Sequence, residues 1–397
     1  MLNRQRLSLI ATVLLASLLI TLLSGCWDNR ELDSLFIVTG IALDKAPDSD
    51  LITVTLQIGK TESKTGASSE SGSQEDKNAI ILKASGRTPL HGIKRLNFNS
   101  SRSLFYEHNQ AVLFSSELAR EGLKEYLDFF LRDYESRMEV PVFVTDGPTD
   151  RILAVDLEQE QSAGMYLARV IQDLSKLSPY YKVRMLDFLS RTREETVSAL
   201  IPMVAAYDEE DLQKLQICGM AIFKDGKMLD SLNNYETLGY ILAMGDVKLI
   251  GIEAQSEKGH VIFNTINLDT KRDVKLRQDG GVQVKLSVEG ALGIGELKGF
   301  NGMDFPKVIP ELTKMAEERI KEQIAETFEK AKSLEADIYA IGSEIHRKHP
   351  KKWEQMKSSW GSVFSNIDLT VDVKVEIPET GKSMISLEME GASHEDR

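Results

Sequence analysis

Cysteine is the residue type whose position most constrains what this chain can do, and there are two of them. Cys26 follows residues 7–23, a stretch that is apolar apart from Ser8, Thr12, Ser17 and Thr21, and it is reached through the small residues Ser24 and Gly25. Asn3, Arg4, Gln5 and Arg6 place a short basic segment ahead of that stretch. Basic, apolar and small segments in that order make an export signal. Leu23-Ser24-Gly25-Cys26 is a large aliphatic residue, two small ones and a cysteine, the pattern of a bacterial lipobox. It specifies transfer of a diacylglycerol to the Cys26 thiol as a thioether, cleavage between Gly25 and Cys26, and acylation of the freed amino group. A membrane span is the weaker reading, because residues 7–23 only reach the lower limit of the roughly 17–25 residues that a span needs. Two acyl chains hold a protein stably where one holds it marginally.

The other candidate chemistry is thinner. Cys218 lies in the apolar run LQICGMAIF. With Cys26 lipidated it has no partner for an intramolecular disulfide, and a buried, unreactive thiol is expected. Of the six histidines, His91, His108, His260, His346, His349 and His394, only His346 and His349 are near each other, with Glu344 close by. There is no HExxH and no third ligand of suitable spacing, so these read as surface residues on a basic helix. Gly290, Gly293, Gly295 and Gly299 spell neither GxGxxG nor a P-loop and suggest a turn between strands. No GxSxG element is present. Carboxylates are too numerous for a hydrolytic pair to be picked out by counting, since the required separation of ~5–10 Å is a spatial property. The residues assign no catalytic group, no metal set and no cofactor.

With 61 acidic against 48 basic residues the formal charge is −13, and cleavage would remove Arg4 and Arg6 as well. Such a chain is repelled by nucleic acid and by acidic headgroups, which leaves the lipid on Cys26 to hold it at a membrane.

The elements that carry these residues read as a mixed α/β (α+β) multidomain ectodomain, its mixed or antiparallel sheets packed by helices. Residues 1–25 form the lipoprotein signal peptide. An N-terminal α/β domain covers 26–205, with strands at 35–43, 51–58, 79–86, 110–115 and 140–145. Ser116 caps a helix through Leu131, further helices fall near 149–156, 162–177 and 183–192, and the Ser-rich stretch 61–77 is a mobile loop joining two strands. Pro202 and Asp208-Glu209-Glu210-Asp211 mark the boundary. A C-terminal domain, 206–397, divisible near 300, opens with a hairpin turning at Asp225-Gly226. Strands are expected at 247–254, 260–268, 282–290 and 367–377; the last two alternate apolar and polar residues cleanly, as in antiparallel or mixed sheets wet on one face. A long helix over 307–333 shows its apolar face in Val308, Leu312, Met315, Ile320, Ile324, Phe328 and Ala331.

CWDNREL at the mature start, FYEHNQAVLFSSELAREGLKEYLDFFLRD at 105–133, CGMAIFKDGKMLDSLNNYETLGYILAMG at 218–245 and ADIYAIGSEIHRKHPKKWEQMKSSWGSVFSNIDLTVDVKVEI at 336–377 together resemble the Ger(x)C family, the lipoprotein C subunits of spore germinant receptors. The resemblance covers nearly the whole mature chain. It implies a three-domain mixed α/β protein of an endospore former, held by the lipid on Cys26 to the outer face of the spore's inner membrane. It would work without a cofactor beside a multi-spanning A-type subunit and a transporter-like B-type subunit, with direct germinant binding by this subunit left open. Only Cys26 carries over as a site. Asn29, where the family often has a basic residue, and the long 61–77 insertion depart from the pattern. Trp353 and Trp360 suit core positions seven apart on a helix face better than partner anchors, and Asp337, Gly342 and Pro350 suit helix boundaries and packing. The competing reading is a lipid-anchored solute-binding protein of an ABC importer, which needs two lobes with parallel sheets around a cleft.

Overall fold

The computed structural model describes residues 32–59, 79–132, 137–157, 160–194, 196–209, 212–300 and 305–379, with part of 5–17, whose described residues are helical. Among the described residues no helix is long and apolar enough to cross a membrane. Gly25, Cys26, Asn29, His394 and the stretch 61–77 lie outside them.

Three strands, β1 (Leu35–Lys45), β2 (Ile52–Gly59) and β3 (Ala79–Gly86), form an antiparallel meander. Ile52, Val54, Leu56 and Ile58 are buried on one face of β2 as their alternation predicts; Thr55 and Gln57 are buried too, because helices cover the other face as well. Helix α1 (Pro89–Asn99) starts where Thr88 accepts the His91 N–H and Pro89 presets the first turn, and it buries Ile93 and Leu96. The short β4 (Ser103–Phe105), which no alternation announces, pairs in parallel with the start of β1, and β5 (Ala111–Ser115) pairs in parallel with its later half.

The single helix expected through Leu131 is two. In α2 (Ser116–Glu121) the cap is Ser115, one residue before the expected Ser116, its hydroxyl accepting the Leu118 N–H at 3.3 Å. Gly122 ends this helix at φ +130°, a conformation open to glycine, and α3 (Lys124–Arg132) follows in a new direction. Next come β6 (Val142–Thr145), α4 (Thr149–Leu153), α5 (Ala163–Leu177), α6 (Met185–Arg193) and β7 (Ala199–Glu209). β5, β6 and β7 continue the sheet in parallel; β8 (Leu212–Lys224) and β9 (Lys227–Leu232) extend it antiparallel. The order is β3-β2-β1-β5-β6-β7-β8-β9, with β4 beside β1. One face carries α1, α2, α3 and α6, the other α4 and α5.

Asp225 at φ 55° and Gly226 at φ 79° turn β8 into β9, the hairpin that the sequence announces. The acidic run 208–211 falls where β7 passes into β8, with Glu209 and Leu212 paired, so the sheet itself runs on to Leu232.

Helix α7 (Asn234–Met244) opens on a capping box of Asn233 and Glu236. A second sheet follows in the order β10 (Gly251–Ser256), β11 (Gly259–Leu276), β12 (Val282–Gly299) and β13 (Asp368–Glu379). The glycines of 290–299 belong to the long strand β12 and do not form the expected turn. The reason at Gly290 is close approach: a Cβ there would lie 2.1 Å from the Asn267 carbonyl oxygen, beside a register shift in β11. β13 pairs in parallel with β12, so chain on both sides of residue 300 shares one sheet. Against it lies α8 (Phe305–Ser333), burying Val308, Leu312, Ala316, Ile320, Ile324, Phe328 and Ala331, while Met315 is only partly covered.

Trp353 and Trp360 are both core residues, on separate helices and not on one face. α9 (Ile341–Lys348), α10 (Pro350–Met356) and α11 (Trp360–Ser365) are short, and the two indoles meet edge to face with centroids 5.1 Å apart. Where the resemblance implies three domains, the described strands gather into two sheets, and the second is not the parallel lobe of a solute-binding protein.

Candidate functional site

The residue with the most specific expected chemistry, Cys26, lies outside the described residues, so the lipid attachment expected there is not part of the geometry below. Cys218 is half-buried on β8 rather than fully enclosed, and burial first, then the charge of Asp146, pushes its thiol up, away from nucleophile behaviour. Among the described residues no group of three or more His, Cys, Asp or Glu is placed to hold a metal ion. His346 instead stacks on Trp353, their rings 22° from parallel and 5.9 Å apart, and the His260 Nε2 meets Glu253 Oε1 at 2.5 Å.

What the structure does assemble is a buried polar node around Asp337, between α8 and α9. Its Oδ1 accepts the Ile341 N–H at 3.0 Å; its Oδ2 accepts the Gly342 N–H at 2.7 Å and the Trp360 Nε1–H at 3.1 Å. Ala340, before α9, sits in the left-handed region at φ 55° and offers no side-chain cap, so Asp337 satisfies the first free N–H groups of the helix in its place. Gly342 leaves room for the indoles: a Cβ there would be 2.7 Å from Trp353 Cη2 and 3.0 Å from Trp360 Nε1. Burial pushes the Asp337 carboxyl up to about 6, against the pull of its three N–H donors and of the Arg272 guanidinium. Arg272, on β11, donates from Nε to Glu344 Oε2 at 2.9 Å and from Nη1 to the Tyr339 carbonyl at 2.6 Å.

This node is also where the two sheets are joined. The Ser198 N–H donates to the Asp337 carbonyl at 3.1 Å, Lys224 Nζ to the Glu335 carbonyl at 2.9 Å, and Ser343 Oγ to Glu194 Oε2 at 2.8 Å. Tyr180 of the first half meets Tyr240, which meets Tyr339, which stacks on Phe328. With three N–H donors on its two oxygens and only 1% of the residue exposed, the Asp337 carboxylate acts as a structural acceptor.

A second candidate is a crevice of about 360 Å³ at the carboxyl ends of β1, β5 and β6, where open α/β sheets commonly hold ligands. Asp44 lies in it; burial raises its pKa above the ordinary carboxylate range, and it accepts the Thr149 N–H at 3.0 Å and the Thr149 hydroxyl. Its two lysines, Lys45 and Lys83, are each paired, with Glu121 and Asp150. These contacts close the crevice more than they arm it.

Two mixed sheets packed by helices and joined through a buried polar seam define the class of scaffold. The chain matches two family models, a spore germination protein N-terminal domain over residues 28–206 and a spore germination B3/GerAC-like C-terminal domain over 218–381. It therefore belongs to the Ger(x)C family, spore germination proteins of the germinant-receptor type and not a known class of enzyme. It is 27% identical over 392 residues to spore germination protein KC of Bacillus subtilis (strain 168), covering 94% of this chain and 95% of that one. With spore germination protein A3 of the same organism it shares 26% over 370 residues, 91% of this chain and 95% of the relative. The crystal structure of the GerBC protein superposes with a TM-score of 0.57 at 17% identity, over 85% of this chain and 97% of that one.

Proposed function

We propose that this chain is the lipid-anchored C subunit of a nutrient germinant receptor, acting in spore germination by assembly with A-type and B-type membrane subunits and without catalysis. The observation that carries this reading is the match of both family domains in order along one chain, with Leu23-Ser24-Gly25-Cys26 just ahead of the first. On this reading the signal is cleaved between Gly25 and Cys26, and lipid on Cys26 holds the protein to the outer face of the cell membrane, which becomes the spore's inner membrane. The ectodomain then influences the receptor by binding one of its states better than another, the one way a subunit can shift an equilibrium. The family models divide the chain between 206 and 218 while the first sheet runs on to Leu232, so the β7–β8 hairpin is common to both domains. Such sharing suits a rigid relay better than two independently moving modules.

Cys26→Ala is expected to abolish lipid on the mature amino-terminal peptide, read by mass spectrometry, and to weaken nutrient-triggered germination of spores carrying it as the sole copy. Lipid still attached in that variant, or germination unchanged, would count against the anchor. Detergent extracts of wild-type spore membranes should yield A-type and B-type subunits with the tagged chain; recovery of the chain alone would remove the assembly part of the proposal.

A further inference from the structure

β1 begins at Leu35, where its first residues lie beside β4, Leu35 opposite Ser103 and Ile37 opposite Phe105. β3 ends opposite the start of β2, and thus near the end of β1, so α1 runs back from there and finishes at the end of the sheet where β1 begins. From Asn99 the chain returns to β4 through a tight link in which the Ser100 hydroxyl donates to the Arg102 carbonyl at 2.7 Å. Phe98, on the last turn of α1, therefore stands at the end of the molecule from which β1 emerges. It is 89% exposed, a degree no packing within the chain accounts for.

Cations stand near it, with the exposed acid Asp33 just ahead of β1. Lys94 is exposed one helical turn earlier on the same face. The Arg102 guanidinium lies over the Phe36 ring, 5.2 Å from its centroid. An exposed aromatic tip flanked by cations is suited to the headgroup layer of a bilayer, where apolar rings insert and basic groups meet phosphates.

We propose that this end of the N-terminal sheet rests on the outer leaflet of the membrane, with Phe98 inserted among the headgroups and Lys94 and Arg102 beside lipid phosphates. The proposal rests on the anchoring reading, because only the chain from Cys26 to Leu35 then separates lipid from β1, a reach of at most ~30 Å when fully extended. The anchor alone would let the ectodomain pivot, and its acidic excess, −13 for the whole chain and larger once Arg4 and Arg6 are removed, would turn most of its surface away from acidic lipid. A local aromatic and cationic contact fixes one orientation, which sets the surfaces offered to membrane-embedded partners.

The test uses the full chain, processed and purified from membranes, in vesicles of phosphatidylglycerol and phosphatidylethanolamine. An environment-sensitive fluorophore is placed by Phe98→Cys, and for comparison by Leu249→Cys in the C-terminal half, where the native side chain is 74% exposed, each with Cys218→Ala. The label at 98 should be quenched by lipids spin-labelled near the headgroup, roughly threefold or more above the label at 249, as expected for penetration of a few ångströms. Equal quenching at the two positions, or quenching at 98 only when receptor membrane subunits are added, overturns the contact. Mass spectrometry of the amino-terminal peptide from the same sample reads the anchor separately: an unlipidated peptide with a quenched label at 98 leaves the contact standing and removes the anchor.

Discussion

Asp337→Ala is expected to destabilise the C-terminal half by about 3–5 kcal/mol at neutral pH, the net of three buried donors losing their acceptor and a desolvated charge being relieved. Three N–H groups, from Ile341, Gly342 and the Trp360 indole, would lose their acceptor at once. Each buried donor left unsatisfied costs about 1–3 kcal/mol, and the relief of a desolvated charge offsets part of the sum. Asp337→Asn should cost less, about 2 kcal/mol, because its remaining oxygen keeps some of the donors while its NH₂ confronts another. The measurement is urea unfolding followed by tryptophan emission, which favours this region because two of the three tryptophans are Trp353 and Trp360. An Asp337→Ala transition within about 0.5 kcal/mol of wild type would show that the node is not a keystone.

The same carboxyl gives stability a pH signature with a definite sign. Its folded-state pKa is raised from 3.8 to about 6, so between those values the folded chain holds a proton that the unfolded chain releases. Stability from this group is fully present below the unfolded value and is lost as pH rises through about 6. A shift of that size corresponds to roughly 3 kcal/mol. Wild type measured against Asp337→Asn should therefore lose its relative advantage between pH 4 and 6 and then level off. The series calls for dilute protein, since the chain's pI is ≈ 5.1. A difference that is flat across that window, or that grows with pH, would mean that the donors and Arg272 outweigh burial.

Much of this arrangement is legible in the sequence, for reasons that also explain what is not. The strands β2 and β13 and the stripe of α8 are written in local periodicity, β1 and β3 in short apolar runs, and the Asp225-Gly226 turn in the need for positive φ. Asp337, Gly342 and Pro350 read as boundary and packing residues because short helices need an acceptor, a close approach and a preset first turn. Pairing partners are not written locally. The acidic run looks like a linker although the strands on either side of it pair, and the glycines of β12 look like a turn although they admit a neighbouring strand at close range. Nothing in the sequence separates Arg272 from its neighbour Lys271, yet one reaches Glu344 and the Tyr339 carbonyl while the other meets Glu289 at 3.3 Å on the surface. The opposite holds for the lipid proposed on Cys26: its motif is four adjacent residues, Leu23-Ser24-Gly25-Cys26, and no tertiary contact is needed to read it.

Gly239→Ala should be the most damaging single-methyl change in the helix pair of the C-terminal half. In an isolated helix the substitution favours alanine by about 1 kcal/mol. Here the added Cβ would stand 2.2 Å from Thr327 Oγ1 and 2.4 Å from the Gln323 carbonyl oxygen, on the facing helix α8. A backbone carbonyl cannot turn aside as a flexible side chain can, so α7 must move away from α8. That movement strains a latch in which Gln323 Nε2 donates to the Tyr235 carbonyl at 2.8 Å, Thr327 Oγ1 to the Glu236 carbonyl at 3.1 Å, and Lys330 Nζ to Glu236 Oε2 at 2.8 Å. Overpacking of this kind costs about 1–3 kcal/mol, and the lengthened hydrogen bonds add to it, so a net loss of about 2–4 kcal/mol is expected despite the gain in propensity. Gly251→Ala is the matched control: its nearest neighbour would be Ile262 Cγ2 at 3.7 Å, an ordinary contact, and the change should be within about 0.5 kcal/mol of neutral. Because α7 also carries Tyr240, which bridges Tyr180 of the first half to Tyr339 of the second, Gly239→Ala should loosen the seam between the sheets as well as the helix pair. Hydrogen exchange reads this directly: faster exchange of the Ser198 and Lys248 amides, which donate to the Asp337 and Leu177 carbonyls across the seam, is the expected result. Unchanged exchange at both amides, with the loss confined to α7 and α8, would mean that the seam holds without the helix pair.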